Sequence, residues 1–303
     1  MEKNQVKTKK GMTKRTQEIL FLCVALAFPI AHFLVMYVGV NANSILLSLK
    51  EYVGQNQYVF AGLKNFEKII NNFATNPDYG IMIKNSVIMW FFSSPMTILL
   101  GMLIAYSVWK KVYFSGFFST ILFLPSMISS VIFVMILEIM IGDLLPSIHP
   151  ALGELLVNAE SAFYTLLGYD RLLSFGITMI YFMGAMSAIS SGLVEYGRIE
   201  GVNAFQEFIH IVIPAVWPTI VSLLVVGFAQ LFVNYGLLLA YYGTSAPPPA
   251  KTLGYQIYVM VKSERNLNAY PEAAAMGLLF TLITIPIVFT VKHLLEKYGP
   301  RED

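Results

Sequence analysis

The feature that most constrains this chain is a set of six long apolar stretches that carry almost no charged residues. A helix rises about 1.5 Å per residue, so about 20 apolar residues cross a hydrocarbon layer about 30 Å thick. Lipid offers backbone groups no hydrogen-bond partner, so these stretches are predicted to be membrane-spanning helices. They cover residues 19–40, 85–108, 115–141, 172–194, 219–242 and 273–291.

The composition excludes other classes of protein. Hydrophobic residues make up 56% of the 303 residues and charged residues only 13%, whereas a soluble domain carries about 25% charged residues. The formal net charge of +2 also argues against a nucleic-acid partner. The sequence therefore predicts an all-α integral membrane protein, with lipid around six transmembrane helices.

The distribution of Lys and Arg predicts the orientation, because basic residues concentrate in short cytoplasmic segments. They are enriched in the tail 1–18, in the turn after the second span, and in the tail 295–303. Both termini are then cytoplasmic, as an even number of spans requires. The segment 41–84 is extracytoplasmic and is predicted to contain a short amphipathic helix near residues 65–72, while residues 85–294 form one core.

The chain lacks the common catalytic motifs. It contains no Gly-x-x-x-x-Gly-Lys-Ser/Thr loop for ATP, no His-Glu-x-x-His and no Gly-x-Ser-x-Gly. The single cysteine, Cys23, permits no disulfide within the chain. We therefore expect this chain to have no catalytic residue, no metal and no cofactor of its own.

The predicted cytoplasmic segment 195–218 is much longer than a simple connection between spans. Its first part is helical and charged, and Gly201 interrupts it. A second short helix follows, on which Phe205, Phe208 and Ile211 form an apolar stripe. Pro214 and Pro218 are expected to end that helix and open the fifth span. Such a surface suits the groove of a soluble partner. The alternative is a helix resting on lipid, but that usually carries a basic face.

This spacing resembles the "EAA" loop of type I binding-protein-dependent ABC importer permeases. Glu195 stands at the motif glutamate, Glu200 at the acidic position and Gly201 at the glycine. Tyr196 and Gly197 replace the two alanines. The F-x-x-I-x-x-P-x-x-x-P tail typical of the carbohydrate branch is supplied by Phe208, Ile211, Pro214 and Pro218.

Weaker matches extend the resemblance along the chain. Residues 62–66 read Gly-Leu-Lys-Asn-Phe, similar to the "G-L-x-N-F" element before the second span of sugar permeases. Residues 124–125 resemble the Leu-Pro of their third span, and residues 270–277 the small-residue entry to their last helix. The resemblance identifies the carbohydrate branch of the family and favours an oligosaccharide as cargo.

The resemblance implies a permease subunit in the bacterial plasma membrane, within an ATP-driven importer. Its partners would be a second homologous permease subunit, two ATPase subunits that bind ATP and Mg²⁺, and an extracellular sugar-binding protein. The implied ATPase-docking residues are Glu195, Tyr196, Gly197, Arg198, Glu200, Gly201, Phe205, Phe208, Ile211 and Pro214.

Polar and aromatic residues in the spans are candidates for a sugar path. Gln230 and Asn234 are four residues apart in the predicted fifth span, hence on one helical face. Either a sugar or an interhelical hydrogen bond to the companion subunit would satisfy them. Tyr235, Tyr241 and Glu138 complete the candidates, with Glu138 favoured as an interface or gate residue.

Two other functions fit the spans. A secondary transporter driven by an ion gradient would need a coupling site, for which the spans offer only Glu138 and His32. A membrane scaffold without transport would leave the segment 195–218 unexplained.

Overall fold

Helices dominate the computed structural model, which describes residues 13–55, 57–262 and 267–300. Most of the predicted tail 1–18 and the end of the tail 295–303 lie outside these ranges. The helices are α1 (Lys14–Ser48), α2 (Lys64–Thr75), α3 (Pro77–Trp109), α4 (Ser115–Met127), α5 (Ser130–Ile148), α6 (Ala159–Ser187), α7 (Ser191–Ile199), α8 (Ala204–Ala229), α9 (Leu238–Tyr242), α10 (Leu253–Lys262) and α11 (Ala269–Tyr298).

Five helices are long and apolar enough to cross a membrane within the described ranges: α1, α3, α5, α8 and α11. A sixth span results if α6 and α7, which meet at an angle of 79°, count as one broken span. The predicted multi-spanning helical fold is confirmed. Side chains along α1 are almost all exposed, as expected for a helix that faces lipid.

The stretch 115–141 is not one helix. It is split into α4, which ends in a 3₁₀ turn over Leu124–Met127, and α5, with an extended residue, Ile128, after that turn. Pro125 lies in this turn, and its missing N–H and rigid ring explain why the α-helical bonding stops there.

The stretch 219–242 is also broken, because α8 ends at Ala229. The Asn234 side-chain oxygen accepts a hydrogen bond from the Gly236 N–H at 2.9 Å, which forms a local turn. Gly236 has a φ of +49°, a conformation that suits glycine. Thr252 holds the turn by donating to the Asn234 carbonyl at 3.1 Å. This local bonding competes with a continuous helix.

The stretch 172–194 is likewise not one helix. The helix α6 begins at Ala159 and ends at Ser187. The Ser190 hydroxyl then accepts a hydrogen bond from the Leu193 N–H at 3.3 Å, so that α7 starts with its own cap.

The segment 41–84 contains the predicted amphipathic helix as α2. Asn65 is buried and donates to the carbonyls of Ser48 and Lys50 at 2.7 and 2.8 Å, which satisfies the end of α1. Ile69 is fully buried against α11. Two antiparallel strands, β1 (Lys50–Gly54) and β2 (Gln57–Phe60), add a hairpin that the sequence analysis did not foresee.

A core between α3, α6 and α8 positions the candidate site. Met102, Met179, Phe182 and Val212 are buried in this cluster. The helices α3, α6 and α8 pack against one another in the part of the bundle that lies next to α7.

Candidate functional site

The predicted site residues gather in two places. One is the connecting element (residues 191–213), which comprises α7, a turn and the first part of α8. The other is a polar cavity between α3, α6 and α8.

A glycine turn joins α7 to α8. Gly201 has a φ of +75°, in the left-handed region that favours glycine. A Cβ atom there would meet nothing within 4 Å, so only the backbone conformation restricts this position. The start of α8 is fixed by a capping box in which Asn203 and Gln206 bond to each other's backbone N–H groups. The predicted helix–glycine–helix pattern is confirmed.

Three large hydrophobic side chains of the connecting element are more than half exposed. Tyr196 is 62% exposed, Ile199 83% and Phe205 74%. The predicted stripe of Phe205, Phe208 and Ile211 is therefore wrong as an exposed surface, because Phe208 is only 7% exposed. Three residues advance about 300° around a helix, so Phe205 lies about 60° away from Phe208.

Phe208 and Ile211 instead hold the connecting element in place. The ring of Phe208 lies 5.0 Å from that of Tyr106 on α3. Ile211 is half-buried, and its Cδ1 atom lies 3.0 Å from the position of a Cβ atom on Gly197. Even an alanine at residue 197 would be tight. The replacement of a motif alanine by Gly197 thus brings α7 close to α8.

The charged residues of the element fall into two groups. Glu195, Arg198 and Glu200 are exposed and form no ion pair with a described residue. Glu207 is buried, and both of its carboxylate oxygens accept hydrogen bonds from Lys110 at 2.8 Å. Sequence reasoning missed this pair because the two residues are 97 positions apart.

Pro214 does not end a helix, contrary to the prediction. The helix α8 continues through it from Ala204 to Ala229. A π-helical turn, Phe208–Val212, directly precedes Pro214. Such a turn rearranges the backbone bonding where proline lacks its N–H. The connecting element and the fifth span therefore share one helix.

The polar cavity has a volume of about 250 Å³. Its walls combine aliphatic side chains with hydroxyl, amide, indole and guanidinium groups. The polar and aromatic lining residues are Trp90, Ser93, Ser94, Thr97, Arg171, Thr178, Gln230 and Asn234.

Three buried polar atoms around this cavity have no hydrogen-bond partner among the described residues. They are Nε1 of Trp90, Oγ of Ser94 and Nε of Arg171. An unsatisfied buried group costs ~1–3 kcal/mol, so these three atoms leave hydrogen-bonding capacity unused beside the cavity. The Arg171 guanidinium also pairs with Asp170, which balances its charge.

The predicted sugar-path residues are only partly brought together. Gln230 and Asn234 both line the cavity, although they do not share a helical face. Asn234 also donates to Ser93 at 3.3 Å, in addition to forming its turn. Tyr235 packs 5.4 Å from Tyr258, away from the lining.

The other two candidates lie elsewhere. Tyr241 packs 4.6 Å from Tyr242, and neither it nor Glu138 is among the cavity's lining residues. Glu138 is exposed on α5. A carboxylate on the surface of an apolar helix needs a partner or water, and the interface or gate role of Glu138 stays a prediction.

Comparison with known families gives a match over more than half of the chain. The model of the family described as "Binding-protein-dependent transport system inner membrane component" covers residues 97–302. The match includes the whole connecting element.

Individual proteins are similar over most of their length. The probable starch degradation products transport system permease protein AmyD of Thermoanaerobacterium thermosulfurigenes is 24% identical, over 81% of this chain and 85% of that protein. A bacterial ABC transporter involved in the import of the acidic polysaccharide alginate has a similar fold. Its TM-score is 0.74 at 19% identity, over 94% of this chain and 98% of that one.

The same fold is found in the bacterial alginate ABC transporter in complex with alginate pentasaccharide-bound periplasmic protein. The TM-score is 0.72 at 19% identity, and the alignment covers 95% of this chain and 99% of that chain.

Proposed function

Because the chain belongs to the family of binding-protein-dependent transport system inner membrane components, we propose that it is the permease subunit of an ATP-driven sugar importer. Its cargo is an oligosaccharide that an extracellular binding protein delivers. The relatives named for starch degradation products and for alginate support a saccharide cargo. The polar cavity supports it independently, since sugars offer many hydrogen-bond acceptors to unpaired donors.

The observation that carries this function is the continuity of α8. Its first turn presents the exposed Phe205, and its last residue precedes Gln230 in the cavity. The helix has 26 residues, which corresponds to a length of about 40 Å. A partner that moves the connecting element therefore moves one wall of the cavity.

The proposed function requires partner subunits that bind ATP and complete the transport path. Two ATPase subunits bind ATP and Mg²⁺, and one of them contacts Tyr196, Ile199 and Phe205. Glu195 pairs with a basic residue of that ATPase. A second homologous permease subunit completes the path. The solved alginate complex with a periplasmic protein supports the binding-protein partner.

The transport cycle is a two-state equilibrium that ATP biases from a distance. Closure of the ATPase pair moves the connecting element. The cavity, which was open to one side of the membrane, then opens to the other side. A ligand shifts such an equilibrium only by its different affinity for the two states. This chain accordingly binds cargo and transmits motion, while the ATPase performs the hydrolysis.

The orientation gives a first prediction. We expect reporter fusions at Lys110 and Arg198 to lie in the cytoplasm and a fusion at Lys251 to lie outside, because basic residues favour short cytoplasmic segments. Accessibility of the fused reporters in intact cells measures this. An external fusion at Arg198 would contradict the docking of the connecting element to an ATPase.

The exposed apolar surface gives a second prediction. Ile199→Ser should weaken retention of the ATPase by the purified permease about fivefold or more, because a buried isoleucine contributes ~1 kcal/mol or more at an interface. Val157→Ser is the matched control, since Val157 is 72% exposed and lies before α6. Equal ATPase retention in both variants would show that Ile199 does not contact the ATPase.

The decisive test of the function is reconstitution. The chain, its companion permease and the ATPase are purified together and placed in proteoliposomes with the sugar-loaded binding protein. We expect sugar uptake that requires both ATP and the binding protein. Uptake driven by a proton or sodium gradient without ATP would establish a secondary transporter instead.

A further inference from the structure

A mostly buried ion pair joins the connecting element to α3, the second span. The Lys110 Nζ atom lies 2.8 Å from both carboxylate oxygens of Glu207. The side chains are only 23% and 6% exposed. Lys110 directly follows α3, and Glu207 lies in the first turn of α8.

Neighbouring contacts reinforce this junction. The Tyr106 hydroxyl donates to the Ala204 carbonyl at 3.1 Å and lies 3.4 Å from the Glu207 carboxylate. The ring of Tyr106 also packs on Phe208. The end of α3 is thus joined to the start of α8 by one ion pair, one hydrogen bond from a side-chain hydroxyl to a backbone carbonyl, and one aromatic contact.

Other ion pairs of the described residues differ from this one. Lys64–Glu51 and Lys292–Glu296 are largely exposed on both sides, and exposed pairs contribute little. Asp170 and Arg171 are neighbours on one helix. Lys68–Glu272 has an exposed lysine. Lys110–Glu207 alone among them joins two candidate spans through mostly buried groups.

Both helices joined by this pair also line the polar cavity. The helix α3 supplies Trp90, Ser93 and Ser94, and Gln230 follows the end of α8. Motion applied to the connecting element reaches one wall through α8 itself. It reaches the other wall through the contacts that join α3 to α8.

We propose that the Lys110–Glu207 pair is a positioning contact that makes α3 and α8 move as one body when the ATPase moves the connecting element. The inference rests on the proposed function. The pair keeps the two cavity walls in the same relative position while the cavity changes the side of the membrane to which it opens. Without it, α8 moves while α3 lags, and ATP is hydrolysed without sugar transfer.

The test measures sugar transported per ATP hydrolysed in the reconstituted complex. Lys110→Met and Glu207→Gln should each lower this ratio about fivefold, because each leaves a buried group without its charged partner. Lys110→Arg should retain most of the ratio, since it keeps the charge. The exchange of both charges, Lys110→Glu with Glu207→Lys, should recover part of it.

Two controls separate coupling from folding. Lys111→Met removes an exposed neighbouring lysine that forms no ion pair with a described residue, and it should leave the ratio unchanged. The double variant Lys110→Met with Glu207→Gln removes both buried charges, so no unpaired charge destabilises the fold. Its assembled complex should still show the low ratio.

A wild-type ratio in the assembled double variant would overturn the proposal, as would single variants that lower only the yield of complex. The proposed function fails in a different way. In that case the wild-type complex itself would show no ATP-dependent uptake of sugar.

Discussion

Replacing Gly201 with valine is expected to lower sugar uptake at least tenfold while the chain still inserts and folds. The reason is the backbone, since Gly201 has a φ of +75°. A left-handed conformation costs an ordinary residue ~1–2 kcal/mol, and a β-branched residue more. The strained turn would relax by changing the angle between α7 and α8. The apolar surface for the ATPase would then no longer match its partner.

Two matched variants test whether backbone conformation is the cause. Gly201→Asn should retain most uptake, because asparagine tolerates the left-handed region and nothing lies within 4 Å of the added Cβ. Gly192→Val introduces the same side chain into α7, also without a neighbour within 4 Å, and should be nearly neutral. The measurement is ATP hydrolysis stimulated by sugar-loaded binding protein, together with uptake. Wild-type values for Gly201→Val would show that the turn is only a connector.

The apolar pattern predicted the spans well because lipid imposes one simple rule on backbone hydrogen bonds. The breaks inside the spans follow local chemistry that apolarity does not report. At Pro125 the helix loses a donor, and at Asn234 a side chain replaces helical bonding with a turn. At Pro214 the error was the opposite one. Proline was expected to end a helix there, but a π-helical turn keeps α8 continuous.

The candidate site was predictable where it depends on neighbours in sequence. The glycine turn and the amphipathic helix α2 are of this kind. Contacts between distant segments were not predictable, and the Lys110–Glu207 pair is the clearest case. Part of the cavity did leave a signal, since Ser93 and Ser94 lie within an apolar span.

The continuity of α8 changes the expected mechanism. The sequence predicted a docking helix that ends at Pro214 and a separate fifth span after it. A continuous helix instead transmits rotation and translation directly from Phe205 to Gln230. The helix is bounded by the glycine turn at Gly201, where α7 meets α8, and by the turn that follows Gln230.

The cavity donors should matter as much for uptake as the glycine turn. Trp90→Phe keeps an aromatic ring and removes the unpaired Nε1 donor, and Gln230→Leu removes an amide of similar size. A hydrogen bond contributes ~0.5–1.5 kcal/mol net, so the double variant should lower kcat/KM for uptake about tenfold. Asn234 is a poorer choice, because its side chain bonds to Gly236 and Ser93 and its loss would disturb the fold.

The readouts distinguish a sugar path from a docking defect. The double variant Trp90→Phe with Gln230→Leu should bind the ATPase normally, and sugar-loaded binding protein should still stimulate its ATP hydrolysis. Ser222→Ala is the control on α8, since the Ser222 hydroxyl is exposed and bonds to the Pro218 carbonyl of its own helix. It should leave uptake unchanged. Wild-type uptake kinetics in the assembled double variant would exclude these donors from the sugar path.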